Sequence, residues 1–259
     1  MPEESFAPGN GRGAVLLLHG FTGTPFEVEA LAGPLVAAGF AVSTLRLPGH
    51  GVAPPPGERN DSAAWLADAE AGLERLVTMN GGHAVAVVGL SMGGLLALQL
   101  AARHPQRVER LVALAPALQV STQLALLFGT LRVVACLGPS SWLDRRIEKG
   151  PSNIVDPEAR VANPSSPPFA LRTMLAFDDL RRETRELVGR VRAPTLILHG
   201  RLDGTIPLAA SEWLRREIGA THVEMQVLEQ SAHVLPLDRE RAQVAAHVTR
   251  FLLNDPSAD

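Results

Sequence analysis

The sequence predicts an α/β fold in which a mostly parallel sheet is flanked by helices. Residues 14–18 and 84–88 are short, wholly apolar segments, as expected of strands that are covered on both faces. Such segments alternate with longer ones of helical periodicity, and repeated βα units imply parallel strands joined by right-handed crossovers. A chain of 259 residues can bury one sizeable core, so we expect either a single large domain or a domain with a modest insertion.

The individual elements follow from local signals along the chain. Gly39 provides a C-terminal stop for the first helix, and Asp61 is a good N-cap for the second, which carries its apolar residues on one face. The predicted strands cover residues 14–18, 40–45, 84–88, 108–115, 194–199 and 222–228. The predicted helices cover residues 25–38, 61–79, 92–104, 208–218 and 239–253.

Residues 117–190 interrupt the alternation, because they are too many for one crossover helix and contain many prolines. We interpret them as an inserted helical cap, with residues 1–116 and 191–259 forming the main domain. The first part of the insertion is strongly apolar, but a central Arg132 would cost about 2.5–3.5 kcal/mol in a spanning helix. The sequence therefore predicts no integral membrane segment, and it leaves shallow contact with lipid or an oily substrate open.

Composition limits the partners and the compartment. A formal net charge of −3 gives no electrostatic reason to expect nucleic acid or an anionic membrane as a partner. The single cysteine, Cys136, excludes an internal disulfide and a cysteine-based metal site. No secretory signal is visible in the first residues, so we expect a cytoplasmic location.

Residues 89–93, Gly-Leu-Ser-Met-Gly, follow an apolar strand and precede a helical segment. In that setting a G-x-S-x-G motif is typical of a nucleophile elbow, a turn so tight that side chains flanking the serine would clash. The turn would hold the Ser91 hydroxyl at the tip of the sheet. A glycine-rich turn with an incidental serine is the alternative, and the strand–turn–helix context favours the elbow.

A nucleophilic serine needs a neighbouring base, and that base needs an orienting acid. Parallel sheets bind ligands beyond the carboxyl ends of their strands, which favours residues in loops directly after strands. His233 follows the last predicted strand, and Asp203 follows the strand before it. We therefore predict that Ser91, Asp203 and His233 form a catalytic triad.

Other polar residues near these positions are given different roles. We expect His50 to make structural hydrogen bonds and His199 to be a neighbour of the catalytic acid. Asp238 is interpreted as the N-cap of the last helix. Asp178 and Asp179 lie in the cap and are expected on a solvated surface.

Two backbone N–H groups are predicted to form the oxyanion hole. Elbow geometry assigns one to Met92, and the loop after the first predicted strand supplies the other, with Phe21 as its donor. The Phe21 ring and Met92 would also line an apolar pocket. Apolar residues at the start of the cap, Leu127 and Leu131 among them, would complete a slot for the acyl group.

The motif of residues 19–21, the Ser91 motif, Asp203 and His233 resemble, in this order, the pattern of the α/β-hydrolase superfamily. The likeness spans residues 15–253. The loop sequences Leu-His-Gly-Phe-Thr-Gly-Thr-Pro and Leu-Pro-Gly-His-Gly resemble, more narrowly, small bacterial carboxylesterases and monoacylglycerol lipases. The resemblance implies hydrolysis of a small-molecule carboxylic ester through an acyl-enzyme, with no cofactor and no metal.

Ester hydrolysis is one of several chemistries that this fold supports. Thioesterase, amidase, C–C hydrolase and cofactor-free perhydrolase reactions use the same serine triad, and a ligand-sensing protein with little turnover is a further alternative. Ser91 argues against haloalkane dehalogenases and epoxide hydrolases, which place aspartate at the elbow. We expect a monoester with a short to medium unbranched acyl chain as substrate, and a poor rate on triacylglycerols.

Overall fold

In the part of the chain that the structure describes, the main sheet has seven strands and is parallel except at one edge. A computed structural model describes residues 4–51, 60–164 and 167–254. Its strands are β1 (Glu4–Ala7), β2 (Ala14–Leu18), β3 (Ala41–Leu45), β4 (Val85–Leu90), β5 (Val108–Leu114), β6 (Arg146–Ile147), β7 (Phe169–Ala170), β8 (Thr195–Gly200) and β9 (Val223–Leu228). The order across the main sheet is β1-β3-β2-β4-β5-β8-β9, and β6 pairs with β7 separately.

Helices surround the main sheet, and apolar clusters fill the space on both of its faces. Within the described residues the α-helices are α1 (Phe26–Glu29), α2 (Ala32–Ala37), α3 (Ser62–Met79), α4 (Met92–Arg103), α5 (Thr122–Leu137), α6 (Pro157–Ala162), α7 (Leu171–Leu187), α8 (Ala209–Glu217) and α9 (Arg241–Leu253). Leu16 and Leu18 of β2 belong to one cluster, and Val15 and Leu17 belong to the other, because successive side chains of a strand alternate. The predicted parallel sheet with strands covered on both faces is confirmed.

Some elements differ from the sequence prediction. The first predicted helix, residues 25–38, is two short helices, α1 and α2. Pro34 lies in the first turn of α2, where backbone N–H groups have no helical acceptor, so its missing N–H removes no hydrogen bond. Inside one continuous helix, the same proline would remove a hydrogen bond. The edge strand β1 was missed because its sequence, Glu-Ser-Phe-Ala, contains no apolar run. β6 and β7 have two residues each and leave no periodic signal.

The segment between β5 and β8 carries α5, α6, α7 and the β6–β7 pair. Its last helix packs against α4, and a buried hydrogen bond of 3.2 Å joins Gln99 Nε2 of α4 to Thr184 Oγ1 of α7. The division of the chain into a main domain and a cap at residues 117–190 stays a prediction, and we use the word cap for that segment below. Of the helices in the described segments, none combines the length and the apolar character that crossing a membrane requires.

Asp178 lies at the centre of an ion cluster inside the cap rather than on a solvated surface. Its fully buried carboxylate accepts hydrogen bonds from Arg132 of α5 and from Arg181 and Arg182 of α7. Burial alone would raise the pKa of Asp178, but these guanidinium groups outweigh that effect and lower the pKa below its ordinary value. The predicted surface role of Asp178 is wrong, whereas the Asp179 side chain is 45% exposed.

His19 and His50 form a buried pair between the loops that follow β2 and β3. Their ring centroids lie 5.2 Å apart. His19 Nε2 accepts the N–H of Leu47, which places the ring proton on Nδ1, where it donates to the carbonyl of Gly20. Burial lowers the pKa of His19 to about 3 and that of His50 to about 4. Both rings are therefore neutral at neutral pH.

The free energy of unfolding should fall as the pH falls below about 6.5, because the two rings bind protons in the unfolded chain first. Their ordinary pKa is 6.5, whereas the folded-state values are about 3 and about 4. Between its folded-state pKa and 6.5, each ring therefore lowers the free energy of unfolding by about 1.4 kcal/mol for every unit by which the pH falls. Urea unfolding at a series of pH values measures this slope. His50→Asn should reduce the slope, and His222→Asn, at a half-exposed ring, should leave it unchanged. A wild-type slope in His50→Asn would contradict the prediction.

Candidate active site

Ser91 stands at a sharp turn between β4 and α4, with backbone angles φ 55° and ψ −109°. A positive φ costs a non-glycine residue about 1–3 kcal/mol, so the surrounding contacts must hold it. The Ser91 N–H donates to the Leu114 carbonyl at 2.8 Å. A Cβ on Gly89 would lie 2.1 Å from the Gly93 carbonyl oxygen, and a Cβ on Gly93 would lie 2.2 Å from that of Leu18. Both flanking glycines are sterically required, as a nucleophile elbow demands.

Asp203 and His233 meet beyond the carboxyl ends of β8 and β9. His233 Nδ1 lies 2.7 Å from Asp203 Oδ2, and Asp203 Oδ1 accepts the N–H groups of Thr205 and Ile206 at 2.8 and 2.9 Å. Because a carboxylate only accepts, the neutral form of the ring has its proton on Nδ1 and a lone pair on Nε2. Burial would raise the pKa of Asp203, but the electrostatic influence of the adjacent His233 ring and the hydrogen bonds from His233 and Ile206 lower it below its ordinary value.

A second histidine, His199 at the end of β8, packs against the same carboxylate. Its Nε2 lies 3.5 Å from Asp203 Oδ2 and 3.1 Å from the Ile206 carbonyl oxygen, and its Nδ1 lies 2.8 Å from Ser211 Oγ. Burial lowers the pKa of His199 below its ordinary value, which favours the neutral form of the ring. The ring sits beside Asp203, as the sequence analysis expects.

The N–H groups of Met92 and Phe21 are the two donors predicted for an oxyanion. Met92 begins α4, so its N–H has no helical carbonyl one turn earlier. Phe21 lies in the loop after β2, where the Gly23 N–H closes a turn on the Gly20 carbonyl at 3.0 Å. Among the described residues, neither N–H donates a hydrogen bond. Their joint role as an oxyanion hole stays a prediction.

A cavity of about 260 Å³ opens onto Ser91 and His233. Its apolar lining is formed by Phe21, Leu90, Leu124, Phe177, Ile206 and Val234. Its polar lining includes Glu27, Lys149, Ser152, Asn153 and Thr205. A larger and more open cavity of about 630 Å³ lies between the start of the cap and α7 and contains none of the predicted triad residues. The smaller cavity is therefore the candidate substrate site.

Three residues predicted to line the acyl slot lie elsewhere. The Leu127 side chain is 42% exposed on the outside of α5, and Leu131 packs into the apolar core. The Met92 side chain is also buried in that core. Leu124 lines the cavity in their place. Helical periodicity indicates which residues of α5 share a face, but not which of them meets the cavity.

The Phe21 ring lines the cavity and is fixed by other aromatic rings. It stacks on Phe177 of α7 with a centroid distance of 4.9 Å, and its edge contacts reach Phe169 at 5.3 Å and Trp65 at 6.0 Å. These contacts tie the loop that carries the Phe21 N–H to the cap. The sequence analysis missed Phe177, because a single aromatic residue on a helix does not reveal which distant loop it will contact.

Glu27 and Lys149 form a polar pair on the cavity wall. Lys149 Nζ lies 3.7 Å from Glu27 Oε1 and donates to the Thr22 carbonyl at 3.2 Å. Glu27 is almost completely buried and also accepts from Asn163 Nδ2 at 3.4 Å. The sequence analysis missed this pair, although Lys149 is the single lysine of the chain. Within the described residues, no group of three or more histidine, cysteine or acidic side chains is placed to hold a metal ion.

Asp238 has a different role from the predicted one. The N-cap position of α9 is occupied by Glu240, and Asp238 is fully buried beside the base. Its carboxylate accepts the N–H of Ala232 at 2.7 Å and, from the cap, those of Val155 at 3.0 Å and Asp156 at 2.9 Å. The prediction is wrong because these donors come from segments that no local pattern connects.

Comparison with known proteins identifies a family and several relatives. A family model described as Hydrolase_4 (serine aminopeptidase, S33) matches residues 9–240. A thermostable monoacylglycerol lipase of Bacillus sp. (strain H-257) is 29% identical over 248 residues, which cover 96% of this chain and 93% of that protein. A carboxylesterase of Bacillus subtilis (strain 168) is 28% identical over 243 residues, 93% of each protein. A solved structure from work on the metagenome-derived lipolytic enzymes LipS and LipT has a TM-score of 0.83 at 28% identity and covers 96% of both chains.

A fluorophosphonate should phosphonylate Ser91, because the lone pair of His233 can take the hydroxyl proton as the bond from Oγ to phosphorus forms and the bond to fluorine breaks, releasing fluoride. Peptide mass spectrometry identifies the labelled residue, and samples taken over time give the rate of labelling. Ser91→Ala should abolish labelling, and His233→Ala and Asp203→Asn should each slow it by about 10³-fold or more. Ser121→Ala, at the exposed start of α5, should label at the wild-type rate. Labelling at another residue, or a wild-type rate in His233→Ala, would overturn the assignment.

Proposed function

We propose that this chain, which belongs to the Hydrolase_4 family (serine aminopeptidase, S33), hydrolyses carboxylic monoesters with Ser91 as its nucleophile. The chain is a carboxylic ester hydrolase of the serine type, as its relatives named monoacylglycerol lipase and carboxylesterase indicate. The observation that carries the residue assignment is the 2.7 Å bond between His233 and Asp203 beside the cavity that Ser91 lines. A cytoplasmic location stays a prediction.

In the first half of the reaction, Ser91 Oγ attacks the ester carbonyl carbon while His233 Nε2 takes the hydroxyl proton. The carbonyl oxygen becomes an oxyanion, which the N–H groups of Phe21 and Met92 stabilise; removing one such donor costs about 2.7–4 kcal/mol in a comparable site. Asp203 holds the imidazole in the tautomer that leaves Nε2 free and stabilises the imidazolium that forms. His233 then gives the proton to the departing alkoxide, and the acyl group stays on Ser91.

In the second half, water replaces the alcohol. His233 Nε2 takes a proton from the water as its oxygen attacks the acyl carbon, and the same two N–H groups hold the second oxyanion. Collapse of this intermediate returns the proton to Ser91 Oγ and releases the carboxylic acid. Both halves use the same base, the same acid and the same donors, so every step is supplied by residues of this chain.

The acyl group would occupy the apolar part of the cavity. Phe21, Leu124 and Phe177 offer no hydrogen-bonding side chains there, which suits an unbranched hydrocarbon. The volume of about 260 Å³ lies just below the usual range for ligand pockets, about 300–1,000 Å³. This size favours one acyl chain of short to medium length over the three chains of a triacylglycerol.

The polar lining would face the alcohol part of the ester. Glu27, Lys149 and Thr205 carry donors and acceptors that can bind hydroxyl groups, and a monoacylglycerol leaves two hydroxyls free after esterification. A relative named monoacylglycerol lipase supports this preference. We therefore propose a monoester of a small polyol as the best substrate of this chain.

A bulky residue at Leu124 should shift the acyl preference towards shorter chains. In Leu124→Trp, kcat/KM for an octanoyl ester relative to an acetyl ester should fall by about tenfold, because the indole fills space that the longer chain needs. Leu127→Trp is the matched control, since that side chain is on the outside of the same helix. Hydrolysis of p-nitrophenyl esters of graded length measures both ratios. Equal changes in the two variants would contradict the assignment of the slot.

Monoacylglycerol should be hydrolysed faster than triacylglycerol that carries the same acyl chain. We expect at least about a tenfold difference in kcat/KM, because the cavity has room for one chain. Titration of released acid at constant pH, with both substrates dispersed in the same detergent, gives the two rates. The Ser91→Ala protein supplies the background. A triacylglycerol rate equal to or above the monoacylglycerol rate would show that the cavity does not set the preference.

A further inference from the structure

Asn153 of the cap contacts the loops of both the acid and the base. Its side-chain Oδ1 accepts the N–H of Gly204, the residue after Asp203, at 2.9 Å. Its backbone carbonyl accepts the N–H of His233 at 3.1 Å and that of Val234 at 3.3 Å. One residue therefore bonds to the backbone next to the acid and to the backbone of the base itself.

The backbone contact explains why the base loop needs this part of the cap. His233 is 8% exposed and Val234 is 4% exposed, so their N–H groups have little access to water. A buried N–H without an acceptor is strongly unfavourable, and the Asn153 carbonyl is the acceptor that both use. The position of the His233 backbone is thereby set by a residue that lies outside the predicted main domain.

Asp238 fixes the same stretch of the cap from its other end. Its carboxylate accepts the N–H groups of Val155 and Asp156, two and three residues after Asn153, and that of Ala232, the residue before the base. Residues 153–156 are thus hydrogen-bonded at both ends to the segment that carries His233, through the Asn153 carbonyl at one end and the N–H groups of Val155 and Asp156 at the other. With its backbone held in this way, the Asn153 side chain has a defined position from which to reach Gly204.

We propose that Asn153 is a positioning residue that sets the separation and orientation of Asp203 and His233. The two catalytic groups lie on separate loops, and their 2.7 Å hydrogen bond requires the loops to keep a fixed spacing. Asn153 bridges the loops with its side chain on one and its carbonyl on the other. The inference rests on the proposed function of the triad. Asn153 also lies on the polar wall of the cavity, and the inference assigns it an action through the acid–base pair, which the split between kcat and KM distinguishes from a substrate contact.

The test compares two substitutions at this position. Asn153→Leu has a similar volume and lacks the acceptor for the Gly204 N–H, whereas Asn153→Asp keeps an oxygen there. We expect kcat to fall by about tenfold in Asn153→Leu with KM changed less than about twofold, since misplacing a reacting group by 1 Å costs about 10²-fold. Asn153→Asp should retain kcat within about threefold of wild type. Glu158→Gln, on the exposed side of α6, is the control that should match wild type.

A spectroscopic measurement on the free proteins separates this inference from the proposed function. The proton on His233 Nδ1 gives a low-field NMR signal while it is held by Asp203, and Asp203→Asn identifies it by its loss. The signal should persist in Asn153→Asp and broaden or disappear in Asn153→Leu. An unchanged signal and kcat in Asn153→Leu would overturn the inference, as would a rise in KM alone, which would make Asn153 a substrate contact. Failure of the wild type to hydrolyse any ester would instead contradict the proposed function.

Discussion

The catalytic arrangement depends on how closely the start of α4 approaches the end of β2. A Cβ on Gly93 would lie 2.2 Å from the Leu18 carbonyl oxygen, so the two backbones touch with no side chain between them. The loop that carries Phe21 lies next to Ser91, because a Cβ on Gly20 would lie 3.4 Å from the Ser91 Cβ. In the proposed mechanism the N–H groups of Met92 and Phe21 stabilise the oxyanion, and backbone contact would leave such donors little freedom to reorient. Asp203 and His233 must then be positioned relative to a serine and backbone groups whose positions are already fixed.

Much of this arrangement could be predicted, because it follows from local signals and one rule of sheet geometry. Ser91, Asp203 and His233 each follow a strand of one parallel sheet, and the carboxyl ends of those strands share an edge. Apolar runs locate the inner strands β2, β4 and β8. The Asp61 side chain caps α3 by accepting the Ala64 N–H at 2.9 Å, as its residue type indicates. In each case the information lies within a few residues of the feature that it specifies.

The parts that were missed are set by contacts between distant segments. Asp178 and Asp238 have the sequence surroundings of ordinary surface acids, yet both are fully buried. The cap donors of Asp238 come from residues 82 and 83 positions away. The same holds for the apolar helix α5. Its composition predicts that the helix has a buried face, but it does not indicate which residues line the cavity. Leu124 lies there and Leu127 does not, and only the packing of α5 on its neighbours decides between them.

In the proposed mechanism, different segments of the cap serve substrate binding and the acid–base pair. Leu124 lines the apolar wall from α5, a helix tied to α7 by the ion cluster around Asp178. Asn153 lies in a stretch that is hydrogen-bonded directly to the acid and base loops. Substitutions on α5 can therefore change the shape of the cavity while the bonds of Asn153 stay intact. Residues 153–156 have no such freedom, because a shift of their backbone would withdraw acceptors from His233 and Val234. Acyl specificity is consequently expected to vary through α5, with the geometry of the acid–base pair preserved by the stretch that follows it.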